Sequence, residues 1–272
     1  MPHTPFRDSA MPDAVSDAAA RAAGEPATEL TSAPAVAPAR FRAPMVSFVQ
    51  RSTRLKDRQQ RTWDELAPRF VIEPPRVVSK TSVQPEFLFD AAATFGRQAP
   101  LVVEIGSGQG EAVAHAAEQR PDTDFLAVEV YTQGVAQTLQ RIRQRDLTNI
   151  RIVQANAVEV LTTMLPAACA DELWLFFPDP WHKSKHTKRR IVTPSFMDLP
   201  ARVLRPGGVW RLATDWADYA RQMREVIGAD ERFTADLHAP RFEGRVLTSF
   251  ERKGLDKDRD IADITAVLSA GV

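Results

Sequence analysis

Leu101-Val102-Val103-Glu104-Ile105-Gly106-Ser107-Gly108-Gln109-Gly110 is an aliphatic run holding one acid and ending in three spaced glycines. The run is short enough for a strand and apolar enough to be buried on both faces, as strands of a parallel sheet are. The glycines let the backbone turn tightly and come close to a ligand. A helix, Glu111–Gln119, follows them. The same alternation continues downstream. Asp124–Val130 predicts a second strand, Thr132–Arg145 a helix with Val135, Leu139 and Ile142 on one face, and Asn149–Gln154 a third strand. Ala157–Met164 predicts a short helix and Glu172–Phe177 a fourth strand. Thr193-Pro194 predicts the cap and first turn of a helix towards Leu204, kinked or split by Pro200. Pro206-Gly207-Gly208 reads as a turn, Val209–Thr214 as a fifth strand and Tyr219–Ile227 as a helix. Arg232–Val267 supplies the last strands and a short helix. This pattern predicts an α/β fold, a mostly parallel sheet with helices on both faces.

A G-x-G-x-G spacing alone is a weak cofactor signal. Two acids sharpen it. Glu104 precedes the glycines at a strand end that otherwise favours apolar residues, and Glu129 ends the second strand 25 residues later. An acid at that second position can accept hydrogen bonds from both hydroxyls of a ribose. Glu104 would repel a pyrophosphate but attract a cationic amino-acid moiety, so Gly106, Gly108 and the two acids favour S-adenosylmethionine over a dinucleotide. Asn156, after the third strand, is placed to bond an adenine; as an alternative it caps the helix that follows. All these positions lie at carboxyl ends of strands, the edge where open α/β sheets bind ligands.

The fourth strand delivers FFPDPWHKSKHTKRR, residues 176–190, onto the same edge. Prolines on either side of Asp179 stiffen the turn that carries it. Lys183, Lys185, Lys188, Arg189 and Arg190 follow within ten residues, with His182 and His186 among them. A rigid acid beside a cation cluster suits a reactive centre next to a phosphate backbone; the plainer alternative is a turn followed by a solvated basic loop. Asp215 comes off the fifth strand on that edge and is either a site residue or a helix cap. Trp181 and Trp216 stack on a base or cofactor, or serve as scaffold.

The 272 residues carry zero formal net charge, so the basic cluster is local. No apolar run approaches the ~20 residues of a membrane span, and no secretory signal or acid-free transit peptide is evident. A lone cysteine, Cys169, leaves no disulfide and no cysteine-based metal site. These features predict a cytoplasmic protein without a metal. Residues 1–44 hold thirteen alanines and seven prolines, a composition that predicts a disordered tail. Residues 45–99 read as a basic arm with helices, including Arg51, Arg54, Lys56, Arg58 and Arg61, and residues 100–272 as the main α/β domain. The arm is either an amphipathic surface helix or a second contact to nucleic acid.

Several motifs in order resemble the bacterial tRNA (guanine-N7-)-methyltransferases. They are Glu104–Gly108, Ala157–Leu161, Phe176–Val192, Ala213–Trp216 and Thr248–Arg252, with Ser47–Arg51 similar to the family's amino-terminal arm. The resemblance covers about residues 45–265. It implies a Rossmann-like class I methyltransferase fold, S-adenosyl-L-methionine as cofactor and tRNA as partner. It also implies methyl transfer to N7 of a guanine in the variable loop. Carried over by position, Glu104, Gly106, Gly108, Glu129, Asn156 and Asp179 hold the cofactor, and Asp179 is also catalytic. Lys183, Lys185, His186, Thr187, Lys188, Arg189, Arg190, Asp215, Thr248, Ser249, Phe250 and Glu251 hold the RNA substrate. Asn156 is an amide where some relatives have an acid, Pro200 interrupts an expected helix, and residues 1–44 have no counterpart in short family members. Three rivals remain on the residues alone: a methyltransferase of other substrates, a non-catalytic RNA-binding module and a dehydrogenase. The cation cluster, the retained acids and the glycine spacing respectively argue against them.

Overall fold

The computed structural model describes residues 54–77 and 79–271. The expectations for residues 1–44 and for Ser47–Arg51 lie outside them. In chain order the elements are α1 (Asp57–Phe70), β1 (Val71–Ile72), α2 (Ala91–Phe95), β2 (Leu101–Ile105), α3 (Glu111–Gln119) and β3 (Asp124–Val128). Then come α4 (Thr132–Arg145), β4 (Ile150–Val153), α5 (Ala157–Glu159), β5 (Ala170–Phe176), α6 (Asp198–Val203) and β6 (Leu204–Thr214). The last are α7 (Ala217–Gly228), β7 (Phe233–Ala239), α8 (Ser249–Leu255) and β8 (Ala262–Leu268). A π-helical turn, Val160–Met164, extends α5, and 3-10 turns span Ser184–Arg189 and Pro194–Phe196.

The eight strands form one sheet in the order β1-β4-β3-β2-β5-β6-β8-β7. Pairings from β1 to β6 are parallel; β8 runs antiparallel to both β6 and β7. Alternate residues of the central strands face opposite ways, as the strand period demands. Val103, Ile105, Leu126 and Val128 join a core with Met197, Val203, Tyr219, Met223 and Ile227. Val102, Phe125 and Ala127 join another with Phe70, Val113, Val135, Leu139 and Ile142. Helices thus cover both faces, as the strand–helix alternation predicts. No described helix is long and apolar enough to cross a membrane.

Two local readings change. Pro200 does not break a helix. It is the third residue of α6, where no intrahelical donor is required, and the interruption falls earlier, between the 3-10 turn and Asp198. Pro206-Gly207-Gly208 lies inside β6 rather than before it. Partners on β5 advance from Ala170 to Glu172 while β6 advances from Leu204 to Val209, so the turn is a bulge within the strand. Gly207 adopts φ +78° there, which favours glycine.

Candidate active site

The carboxyl ends of β2, β3, β4 and β5 open onto one cleft. Gly106 and Gly108 line it from the first loop, Val128 to Tyr131 from the second, Ala155 and Ala157 from the third, and Leu175 to Asp179 from the fourth. Ile191 and Phe250 complete the wall. Five of the sequence-chosen positions, Gly106, Gly108, Glu129, Asp179 and Phe250, therefore converge although they span more than 140 residues.

Glycine is required in this loop for two reasons. Gly106, Gly108 and Gly110 all adopt positive φ. A side chain at Gly110 would also collide with Thr138 of α4, at 2.3 Å from its Cβ position. Gly134 was missed by sequence reasoning and belongs to the same construction: its Cβ position lies 2.3 Å from the Gly108 carbonyl oxygen. The first turn of α4 can approach the loop only without a side chain there. An isolated glycine inside a helical pattern was the available signal.

Glu129 organises the loop before any ligand arrives. Its Oε1 accepts from the backbone N–H groups of Val130 and Tyr131 at 2.7 and 2.8 Å, and its Oε2 from Gly108 at 2.6 Å. Burial raises its pKa, and these backbone donors oppose the shift. A carboxylate offers about four acceptor sites, so the bonds leave Glu129 room for one further donor, where the sequence reading expected two ribose hydroxyls. Glu104 lies beneath the loop, 4% exposed. Burial pushes its pKa up to about 8, opposed by the Val113 backbone N–H and reinforced by the nearby Glu129 charge. Glu104 Oε2 is buried with no hydrogen-bond partner, as is the Ser107 hydroxyl. Orphaned polar atoms of this kind are costly unless a ligand satisfies them. An acid and a hydroxyl under a glycine loop fit the amino-acid end of S-adenosylmethionine.

Asp179 is exposed at the cleft mouth. The turn that carries it is strained: Phe177 and Trp181 adopt φ of +51° and +43°, rare for aromatic residues. Arg190 explains how the turn is held. It is 4% exposed, its Nε donates to the Pro180 carbonyl at 2.8 Å, and its other nitrogens bond Gln222 and Asp218 of α7.

A family model described as "Putative methyltransferase" matches residues 98–264. A tRNA (guanine-N(7)-)-methyltransferase from Paenarthrobacter aurescens is 46% identical, over 81% of this chain and 90% of its own. Its namesake from Paraburkholderia xenovorans is 43% identical, over 97% of both chains. The chain belongs to the tRNA (guanine-N7-)-methyltransferase family. Among solved structures, the 16S rRNA methyltransferase KamB aligns at 21% identity and a TM-score of 0.47, over 71% of this chain and 99% of that one.

Within this family member, the positions expected to hold RNA fall into two groups. Lys183, Lys185 and Lys188 are exposed, His186 and Thr187 half-buried, on the 3-10 turn that leaves the Asp179 segment. Arg189 stacks over the Trp181 ring at 4.8 Å. Arg190 differs from them and corrects the reading of 183–190 as one uniform phosphate surface. Its charge is consumed inside the fold.

Phe250 lines the cleft, whereas Asn156, Asp215, Thr248 and Glu251 are built into the scaffold. Asn156 caps α5, accepting from Val158 N at 3.0 Å, so the capping role weighed for it is present. Asp215 pairs with Arg259 at 2.7 Å. Thr248 caps α8 by accepting from Glu251 N at 3.2 Å. Glu251 is 1% exposed; Arg241 and Arg245 hold it and keep its pKa low against the upward push of burial. It is therefore a buried ion partner rather than an open guanine acceptor. Arg245, fully buried between Glu251 and Asp263, was not chosen from sequence. Among the described residues no group of three or more His, Cys, Asp or Glu could hold a metal ion.

Proposed function

We propose that this protein transfers a methyl group from S-adenosylmethionine to N7 of a guanine in the variable loop of tRNA. The observation that carries the reading is the single cleft shared by Gly106, Gly108, Glu129 and Asp179, with the orphaned Glu104 carboxylate beneath it and the cations of 183–189 leading away. S-adenosylmethionine, when bound, supplies an activated sulfonium methyl group. Glu104 holds its amino group, Ser107 its carboxylate, and Glu129 one ribose hydroxyl. Ala155, Leu175 and Ile191 provide an apolar wall for its base.

Guanine N7 carries an in-plane lone pair, so no base need remove a proton before attack. The protein's part is placement, which can contribute ~7–11 kcal/mol where the geometry is favourable. Asp179 accepts hydrogen bonds from the N1 and N2 edge of the guanine and stabilises the positive charge that the purine gains. Lys183, Lys185, Lys188 and Arg189 hold phosphates and set register. The test is methyl transfer from radiolabelled S-adenosylmethionine to unmodified bulk tRNA, followed by nucleoside analysis. Label in 7-methylguanosine is the expected result. Label in another nucleoside, or tRNA binding without incorporation, refutes the assignment.

A further inference from the structure

The amino end of α8 rests on the glycine loop. The Ser249 backbone N–H donates to Glu111 Oε2 at 2.7 Å, and the Phe250 ring lies 3.4 Å from the Cβ position of Gly108. Glu111 opens α3 directly after the glycines. Its other oxygen meets the Arg141 guanidinium of α4 at 3.4 Å, and Arg141 Nε donates to the Gln109 carbonyl at 2.9 Å. Glu111 and Arg141 are both largely sheltered, at 22% and 24% side-chain exposure, so this is not a solvated surface pair. One carboxylate thus joins the cofactor loop, the helix behind it and the segment Thr248–Glu251.

We propose that Glu111, braced by Arg141, is a positioning residue that couples the cofactor loop to α8, so that a ligand seated against the glycines places Phe250 for the RNA. The inference rests on the proposed function. A ligand that orders the loop backbone orders whatever the loop holds, and α8 is held at two points. The coupling is reciprocal: RNA seated on α8 tightens cofactor binding by the same factor.

Hydrogen exchange of residues 249–255 in the full chain, with and without S-adenosylhomocysteine, reads the coupling without catalysis. Wild type gains protection on binding. Glu111→Ala loses most of that gain while its S-adenosylhomocysteine Kd stays within about threefold, and its Kd for tRNA at saturating S-adenosylhomocysteine rises about tenfold, inside the usual range of coupling strengths. Glu111→Gln, which keeps an acceptor for Ser249, restores part of both. Arg141→Ala reproduces the loss in weaker form. Protection of α8 in Glu111→Ala equal to wild type overturns the coupling alone, as does binding to wild type with no α8 protection. Failure of wild type to bind S-adenosylhomocysteine overturns the proposed function and the coupling with it.

Discussion

Glu104 is a buried acid whose proton ties stability to pH. The folded chain keeps the Glu104 proton up to about pH 8, whereas the unfolded chain gives it up near the ordinary value of 4.5. Between those limits the folded state binds more protons, so stability is full at low pH and falls as pH rises through about 8. At 1.36 kcal/mol per pKa unit the loss is at most about 5 kcal/mol. Glu104→Gln is expected to flatten this slope, checked by urea unfolding at pH 5 and pH 8. Equal slopes in both proteins would refute the assignment. Asp179 is exposed and asparagine keeps its shape, so Asp179→Asn is expected to change stability by less than about 1 kcal/mol. It should lower kcat about 10²-fold at saturating tRNA and cofactor if its charge acts in the transition state. Single-turnover rates unchanged from wild type would leave Asp179 without that role.

At the scale of elements, the contact of α4 with the glycine loop is the tightest fit in the site. Gly134→Ala forces a methyl group against the Gly108 carbonyl, where backbone must move. The expected cost is about 1–3 kcal/mol of stability, together with at least tenfold weaker S-adenosylhomocysteine binding by calorimetry. Wild-type affinity in a folded variant would show that the loop tolerates displacement. The α8 segment depends on Arg245 in the same way. Arg245→Ala leaves Asp263 buried without a cation and Glu251 with Arg241 alone, which predicts a loss of about 3–5 kcal/mol in urea unfolding. These elements also show what was legible beforehand. β2 to β5, and the acids at their ends, were readable because a buried parallel strand announces itself by composition and its loop by glycine. The cap at Asn156 was readable as one of two alternatives, but the roles of Arg190 and Glu251 were not. Burial and ion pairing depend on distant partners such as Asp218 and Arg245, and no local pattern names a partner. The bulge in β6 was hidden for a related reason: Pro206-Gly207-Gly208 has the composition of a turn, and only the register with β5 shows the strand resuming beyond it.

Across the whole molecule, charge is balanced and locally uneven. Lys183, Lys185 and Lys188 stand in solvent while Arg190 is locked to α7. Replacing the three lysines with alanine is expected to reduce the log–log salt slope of tRNA binding by roughly 2–3 units, at ~0.7–0.9 per phosphate contact. Arg190→Ala is expected to change that slope by less than about one unit and to cost about 2–3 kcal/mol, less than a fully buried pair because Asp218 stays half in water. An unchanged slope in the triple variant would remove those lysines from the RNA surface. The placement of β8 between β6 and β7 bears on synthesis. While the chain is being translated, β6 is complete at Thr214 but waits until Ala262 for its antiparallel neighbour. Once β7 is complete at Ala239, the nascent protein carries two unsatisfied ladders, one on β6 and one on β7, each a template for pairing with another chain. A ribosome that pauses before Ala262 therefore holds a polypeptide whose cleft is already encoded but whose sheet is still open along β6.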